Sequence, residues 1–388
     1  MFDTSLRDSQ STAVTGIAPE AFDFDQYAEY AARQDEKVRN FVAADSGVLV
    51  YRRFRVAEVY GWECQDRELS LRLQLGALKE SMKYTADMAN YLEPWYGIGV
   101  GASAFGAKYI WLDGQAPAVS DAFQSVEEAL ACDPVPIHTT QIGKDQMAYV
   151  EYFLDKTQGK LPVSFCDIQS PLNIVSEMMP TNVLFEDMLE DPDAYSDLAY
   201  RAGGLMRDYL LKLKDMIGGA LALPGHGFAS SRALTGIGAS DDTSIMISNG
   251  MFDELEAEQL ADMCEPFGGA FYHSCGNWGV KIPSVLKVRN LLGADGAFSS
   301  ETDPSPNDPA LFGKAFAGTG KILNLRAVGN PDVVADTVRK VWHPGLRLIV
   351  NTYCKTPEEQ QEAYDRIQEI CSNGSSQNLP KPSGSARI

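Results

Sequence analysis

Three residues of this chain could bind a single metal ion. His273 and Cys275 follow one apolar run, and Cys354 follows a second apolar run near the C-terminus. Side chains two positions apart in a β-strand point to the same face, so His273 and Cys275 can reach one ion. One imidazole and two thiolates suit Zn²⁺, and three protein ligands leave the fourth tetrahedral position open for a substrate. These residues therefore predict a catalytic zinc site.

The elements that carry these residues alternate as βα units do. Short apolar runs recur between longer amphipathic stretches, which favours parallel strands joined by helices. Helix start signals lie between the runs, including Asp191 before Pro192, a capping box that begins at Ser125, and Asn330 before Pro331. The candidate strands are residues 47–51, 98–104, 162–167, 220–224, 270–275, 296–300, 322–326 and 346–352.

Eight such repeats predict an α/β protein built as a (β/α)₈ TIM barrel with an N-terminal helical extension. The active sites of these barrels lie at the C-terminal ends of the strands. His273 and Cys275 end the fifth candidate strand and Cys354 follows the last, so we expect all three on one rim. The expected organisation is an extension over residues 1–44 with a helix at 24–42, a catalytic domain over 45–371, and a flexible tail over 372–388.

The composition excludes several classes of function. The 388 residues are 45% apolar, and 33 basic against 53 acidic residues give a formal charge of −20. Such a field repels nucleic-acid phosphates and anionic membranes, so we expect neither as a partner. No apolar run approaches the roughly 18 residues that a membrane span needs. Seven cysteines without close pairing, and no apolar leader, predict a cytoplasmic protein.

The motif and its surroundings resemble one known family. The sequence is similar to the uroporphyrinogen decarboxylase superfamily and, within it, to the zinc-dependent methyltransferases typified by methylcobamide:coenzyme M methyltransferase. Those enzymes carry a His-x-Cys-Gly motif, matched by His273, Cys275 and Gly276, and a distant cysteine matched by Cys354. Residues 169–173, 190–192, 241–248 and 327–331 also resemble the family. The resemblance implies Zn²⁺ held by His273, Cys275 and Cys354, and a corrinoid (methylcobalamin) carried by a partner protein.

Four further residues are assigned to the site by their positions. Glu301, at the end of the sixth candidate strand, is expected to ligate zinc at rest or to take a proton from an incoming thiol. Asp242 is expected to hydrogen-bond the free ring nitrogen of His273 or to orient substrate. We assign Asn277, which shapes the loop after the ligands, and His226, which follows a candidate strand on the same rim, to cofactor binding. A loop histidine satisfied by the backbone is the alternative for His226.

The predicted function is zinc-dependent transfer of a methyl group between a corrinoid protein and a small-molecule thiol or methylated substrate. The direction of transfer, the fourth zinc ligand and the formation of a homo-oligomer stay open. One alternative is a zinc-dependent thiol alkyl transferase that opens an epoxide without a corrinoid. Another is a metal-free decarboxylase or lyase of the same superfamily, which residues 48–54 disfavour because they lack that group's Arg-rich motif. A third is a non-catalytic binding subunit in which Glu301 closes the zinc site.

Overall fold

A computed structural model of the protein describes residues 10–375. Its strands are β1 (Gly47–Arg52), β2 (Tyr109–Ile110), β3 (Ala118–Val119), β4 (Ile237–Ser240), β5 (Ala270–His273), β6 (Leu291–Ala297), β7 (Ile322–Ala327) and β8 (Arg347–Thr352). Six of them form a sheet in the order β1-β8-β7-β6-β5-β4, and all its pairings are parallel. The short strands β2 and β3 form a separate antiparallel pair. The predicted α/β class is confirmed.

Helices occupy most of the connections between strands. They are α1 (Phe24–Ala43), α2 (Arg67–Ser81), α3 (Val126–Ala131), α4 (Gln141–Thr157), α5 (Pro171–Ser176), α6 (Thr181–Glu190), α7 (Pro192–Ile217), α8 (Asn249–Met251), α9 (Ala257–Cys264), α10 (Ile282–Val285), α11 (Pro309–Phe316), α12 (Pro331–Val341) and α13 (Pro357–Ser375). A π-helical segment, Phe252–Glu256, joins α8 to α9. Among residues 10–375, no helix combines the length and the apolar character that crossing a bilayer requires.

The predicted helix starts are confirmed. Ser125, Asp191 and Asn330 each accept a hydrogen bond from a backbone N–H in the first turn of α3, α7 and α12, respectively. These side chains satisfy donors that have no partner inside the helix. Proline occupies the first position of α7 and α12, where its missing N–H costs nothing.

Between β1 and β4 the chain supplies irregular segments in place of long strands. Backbone hydrogen bonds nevertheless join these segments in order from β1 to β4. They run from Asp87 N to Val50 O at 2.7 Å, Leu92 N to Pro162 O at 2.9 Å, Val163 N to Ala220 O at 2.9 Å, and Gly238 N to Pro224 O at 2.9 Å. The first strand also pairs with the last, as a (β/α)₈ barrel requires. We call residues 87–92, 162–170 and 220–224 the irregular segments.

Several predicted strands differ in the structure. Residues 98–104 are not a strand: Ala102–Phe105 forms a 3₁₀-helix, and Gly97 turns the chain before it with a φ of +80°. Residues 162–167 and 220–224 contribute only isolated bridges, at Val163 and Leu221. The strand β6 begins at Leu291, ahead of the predicted 296–300, and β4 was not predicted.

The N-terminal helix packs against the irregular segments and the loop that follows them. Helix α1 buries Tyr27, whose hydroxyl donates to Asn90 O at 2.7 Å. From the same helix, Asp35 accepts from Arg232 Nε at 2.7 Å. At the other end of the chain, α13 extends to Ser375, four residues into the predicted tail; residues 376–388 of that tail lie outside the described residues.

Candidate functional site

Two neighbouring strands end in a cluster of potential metal ligands. His273 is the last residue of β5 and pairs in register with Ser240, the last residue of β4. Asp242 and Cys275 each lie two positions beyond these ends. One ligand atom each from Asp242, His273 and Cys275 lies within 4.8 Å of the others. The structure therefore brings together two of the predicted metal ligands and a residue that was predicted to act beside them.

Short contacts hold this cluster in place. His273 Nε2 lies 3.5 Å from Cys275 Sγ and 3.7 Å from Asp242 Oδ1. Asp242 Oδ1 also accepts the backbone N–H of Cys275 at 2.6 Å. Asp242 thus contacts the ligating nitrogen of His273 and fixes the loop that carries Cys275.

The other nitrogen of His273 contacts a residue that sequence reasoning missed. His273 Nδ1 lies 2.7 Å from Asp295 Oδ2, and Asp295 is its register partner on β6. Arg326 Nε lies 2.9 Å from the same oxygen, and Asn324 donates to Asp295 Oδ1. This network directs Nε2 toward the cluster, as carboxylates do behind metal-binding histidines. An acid in the middle of the apolar strand β6 is the signal that could have identified Asp295.

The network also determines the charge of these groups. Burial alone would lower the pKa of His273, but the hydrogen bond to Asp295 and the neighbouring Cys275 raise it to about 10 in the metal-free protein. Burial alone would raise the pKa of Asp295, but the guanidinium of Arg326 and the bond to His273 lower it. Asp295 is therefore an anion that favours a proton or a metal ion on the imidazole.

The cluster lies in a cavity of about 910 Å³. Asp242, His273 and Cys275 all line it, and the side chains around them are mainly polar. The size suits a small molecule, since ligand pockets span roughly 300–1,000 Å³. The cavity offers more carboxylate, amide and guanidinium groups than apolar ones, which favours a polar ligand.

A second polar group, on the irregular segments and the loop after them, lines the same cavity. His226 Nδ1 lies 2.7 Å from Glu93 Oε2, and His226 Nε2 lies 3.3 Å from Asp167 Oδ2. Arg53 contacts Glu93 Oε1 at 3.4 Å, and Trp95 Nε1 donates to Asp167 at 3.1 Å. Burial would raise the pKa of Glu93, but His226 and Arg53 outweigh it and lower the pKa to about 2. His226 is thus placed in the cavity as predicted, held by carboxylates and not by backbone.

Cys354 lies outside this cluster, and its role as a zinc ligand stays a prediction. It was predicted as the third zinc ligand, but it is absent from the cluster whose ligand atoms lie within 4.8 Å. Its side chain is 1% exposed and packs in the apolar core, its carbonyl accepts from Arg52 Nε at 2.8 Å, and burial raises the pKa of its thiol to about 11. In the sheet, β6 and β7 lie between β5, which carries His273, and β8, which Cys354 follows.

Glu301 and Asn277 also lie away from the cavity of the cluster. Glu301 is exposed, accepts from Ser300 Oγ at 3.0 Å, and lines a different cavity with Arg52 and Tyr353. Asn277 is exposed and accepts the backbone N–H of Gly279 at 3.0 Å, which shapes the loop after the ligands. Neither arrangement provides the zinc-ligand or base role predicted for Glu301, or the cofactor contact predicted for Asn277.

Comparisons with known proteins identify the fold of this chain but assign it to no family. No protein-family model matches the chain, and no curated protein matches it. Among solved structures, a methyltransferase from Methanosarcina mazei matches with a TM-score of 0.60 and 12% sequence identity, over 89% of this chain and 99% of that chain. At this identity the match shows a shared fold, and the chemistry must be argued from the site.

The donor set of the cluster fits a zinc ion. Carboxylate oxygen, imidazole nitrogen and thiolate sulfur are the three kinds of atom that bind Zn²⁺ in proteins. His273 presents Nε2 to the cluster because Nδ1 is held by Asp295. Asp242 contributes the third donor atom of this cluster beside His273 and Cys275.

Proposed function

We propose that this protein is a zinc-dependent methyltransferase that moves a methyl group between a corrinoid carried by a partner protein and a small polar molecule. The observation that carries the proposal is the cluster of Asp242, His273 and Cys275 on the wall of a cavity of substrate size. The fold shared with a methyltransferase and the motif around His273 and Cys275 support the same reaction class.

In this proposal, Asp242, His273 and Cys275 would hold the ion at the wall of the cavity. When bound, zinc supplies Lewis-acid chemistry that increases the reactivity of a sulfur, oxygen or nitrogen atom of the small molecule. Asp295 and Arg326 keep the imidazole of His273 in one orientation. Because these residues are fixed before substrate enters, binding costs little reorganisation.

The second polar group has a separate role in the proposal. Arg53, Glu93 and Asp167 immobilise His226 at the cavity wall, where its ring can orient a bound molecule relative to the cluster. Trp95 and Tyr60 contact this group from behind, with the Tyr60 ring centred 5.4 Å from that of His226. We assign these side chains to positioning of the substrate.

The first test is the zinc content of protein purified without chelator, measured with two cysteine variants. We expect near-stoichiometric zinc in the wild type and in Cys354→Ser, and loss of zinc in Cys275→Ser. Retention of zinc in Cys275→Ser would contradict the site itself. Loss in Cys354→Ser, with the fold intact by circular dichroism, would contradict the ligand set proposed here and restore the set predicted from sequence.

The second test concerns the reaction. Methylcobalamin and 2-mercaptoethanol are incubated with zinc-loaded protein, and the cobalt absorption spectrum reports loss of the methyl group. We expect consumption that depends on the protein and is abolished by Cys275→Ser. Full zinc occupancy without any reaction, across a panel of small thiols, would refute corrinoid-dependent methyl transfer to a thiol.

A further inference from the structure

Glu177 is a carboxyl group in the main cavity that the proposed function does not yet use. It follows the last residue of α5 and lines the same cavity as His273 and Cys275. Its Oε2 atom is buried and has no hydrogen-bond partner among residues 10–375. At the wall of a cavity, a buried carboxyl oxygen without a protein partner can form a hydrogen bond with a ligand.

Hydrogen bonds connect the backbone around Glu177 to the metal cluster. Ser176, the preceding residue, has its hydroxyl 3.0 Å from Thr243 Oγ1. The backbone N–H of Thr243 donates to Asn173 Oδ1 at 3.0 Å. Thr243 directly follows Asp242. The end of α5 is therefore bound to the loop that carries one of the proposed metal ligands, and Glu177 faces the cavity beside it.

The surroundings of Glu177 favour the protonated form. Asp167 and Tyr109 are the titratable groups that interact with it, and no salt bridge joins it to a cation within residues 10–375. Of the cavity's guanidinium groups, those of Arg53 and Arg326 are paired with Glu93 and Asp295, respectively. Burial raises the pKa of Glu177 well above its usual range, and the charge of Asp167 raises it further. A neutral carboxyl group can donate a hydrogen bond and a proton.

We propose that Glu177 is the proton donor to the substrate heteroatom from which the enzyme removes a methyl group. This inference rests on the proposed function and gives it a direction. The carbon–heteroatom bond breaks, the methyl group passes to a reduced, Co(I) corrinoid, and the electron pair of the broken bond stays on the heteroatom. That atom takes the proton of Glu177, and the carboxylate then regains a proton from solvent.

The chemistry of this step restricts the substrate class. A methyl ether or thioether becomes an alcohol or thiol, so it must gain a proton when the methyl group leaves. A quaternary ammonium compound leaves as a neutral amine and needs none. A proton donor at this position therefore selects methyl ethers and thioethers over quaternary amines. Its effect is larger for ethers, because an alkoxide is a much poorer leaving group than a thiolate.

The kinetic test compares two substrates that differ in one atom. Methyl transfer from 2-methoxyethanol and from 2-(methylthio)ethanol to cob(I)alamin is measured with the wild type, Glu177→Gln, and Glu186→Gln as an exposed control on α6. We expect Glu177→Gln to lower kcat for the ether by a factor on the order of 10²–10⁴ and for the thioether by much less, with KM little changed. Equal losses for both substrates, or no loss, would overturn the proposal.

An infrared measurement tests this inference independently of the proposed function. The infrared carbonyl band of a protonated carboxyl group is recorded at neutral pH in all three proteins, without substrate or corrinoid. We expect a band component in the wild type and in Glu186→Gln that Glu177→Gln lacks. Its absence from the wild type would overturn the role of Glu177, whatever the transferase assays show. If the wild type transfers no methyl group from either probe while the band is present, the proposed reaction fails for these substrates, and the proton-donor role fails with it.

Discussion

Replacement of Asp295 by asparagine is the most informative single perturbation of this site. Asp295 is 2% exposed, and one of its oxygens contacts both His273 Nδ1 and Arg326 Nε. Asparagine keeps the shape but removes the charge. Its amide oxygen can replace Oδ2 and accept from both groups, but its NH₂ group then faces the donating amide of Asn324. Asp295→Asn therefore leaves the guanidinium of Arg326 without a counter-ion and removes the charge that holds the imidazole of His273.

The expected magnitudes follow from these two losses. Removing the carboxylate behind a metal-binding histidine lowers metal affinity by roughly 10–100-fold, which corresponds to about 1.4–2.7 kcal/mol. Breaking one side of a buried ion pair costs about 3–5 kcal/mol of folding free energy. We expect Asp295→Asn to show both effects, with the stability loss present even in the metal-free protein.

The assay is competition for zinc with a chromophoric chelator, beside urea unfolding of the metal-free protein. Asp336→Asn is the control, because it makes the same substitution in an exposed pair with Lys340, which solvent screens, so that little stability is lost. A folded Asp295→Asn protein with unchanged zinc affinity would refute the argument that Asp295 orients His273. Unchanged stability would refute the claim that Arg326 depends on it.

Three further outcomes are expected. Glu301→Gln should leave zinc content and turnover unchanged, since Glu301 lines another cavity, and a large loss in a turnover assay would restore the role predicted from sequence. In the folded protein the pKa of Glu93 is about 2, below its ordinary value of 4.5. The contribution of Glu93 to the free energy of unfolding is therefore complete above pH 4.5 and is lost as the pH falls toward 2. Urea unfolding should show that the free energy of unfolding falls by about 3 kcal/mol over this pH range. Glu93→Gln should make the free energy of unfolding less dependent on pH. Gly269→Ala should cost roughly 3 kcal/mol or more in thermal unfolding, because φ is +138° and the new Cβ would lie 1.9 Å from a backbone oxygen. Gly114→Ala, at a φ of +72° in open space, should cost only about 1 kcal/mol, and equal costs would contradict the steric argument.

The strands that could be predicted from sequence are those that contain a cluster of bulky apolar residues. Strands β7 and β8 are almost wholly buried and each contain such a cluster, so their bounds were found within one residue. Strand β4 was missed because Gly238 lies at its centre. A Cβ at Gly238 would lie 2.2 Å from the ring of Phe228, so glycine is required by a distant side chain that the local sequence does not reveal.

The site was predictable to the extent that it depends on local spacing. His273 and Cys275 reach one cluster because they lie two positions apart at the end of a strand. The position of a residue at a strand end predicts the rim on which it lies, but not its distance across that rim. For this reason the sequence could not show that Cys354 lies outside the cluster of Asp242, His273 and Cys275. Asp295 was missed because its role depends on the register between β5 and β6, which a single sequence does not give.

The two walls of the cavity differ in how the backbone beneath them is held. The cluster rests on β4, β5 and β6, which are joined by parallel ladders, whereas Asp167, one of the contacts of His226, lies on an irregular segment joined by isolated bridges. Local opening requires less free energy where fewer hydrogen bonds break together. Amide hydrogens should therefore exchange faster around Leu92 and Val163 than in β5. If a bulky molecule enters the cavity, we expect the wall of His226 to move before the residues of the cluster do.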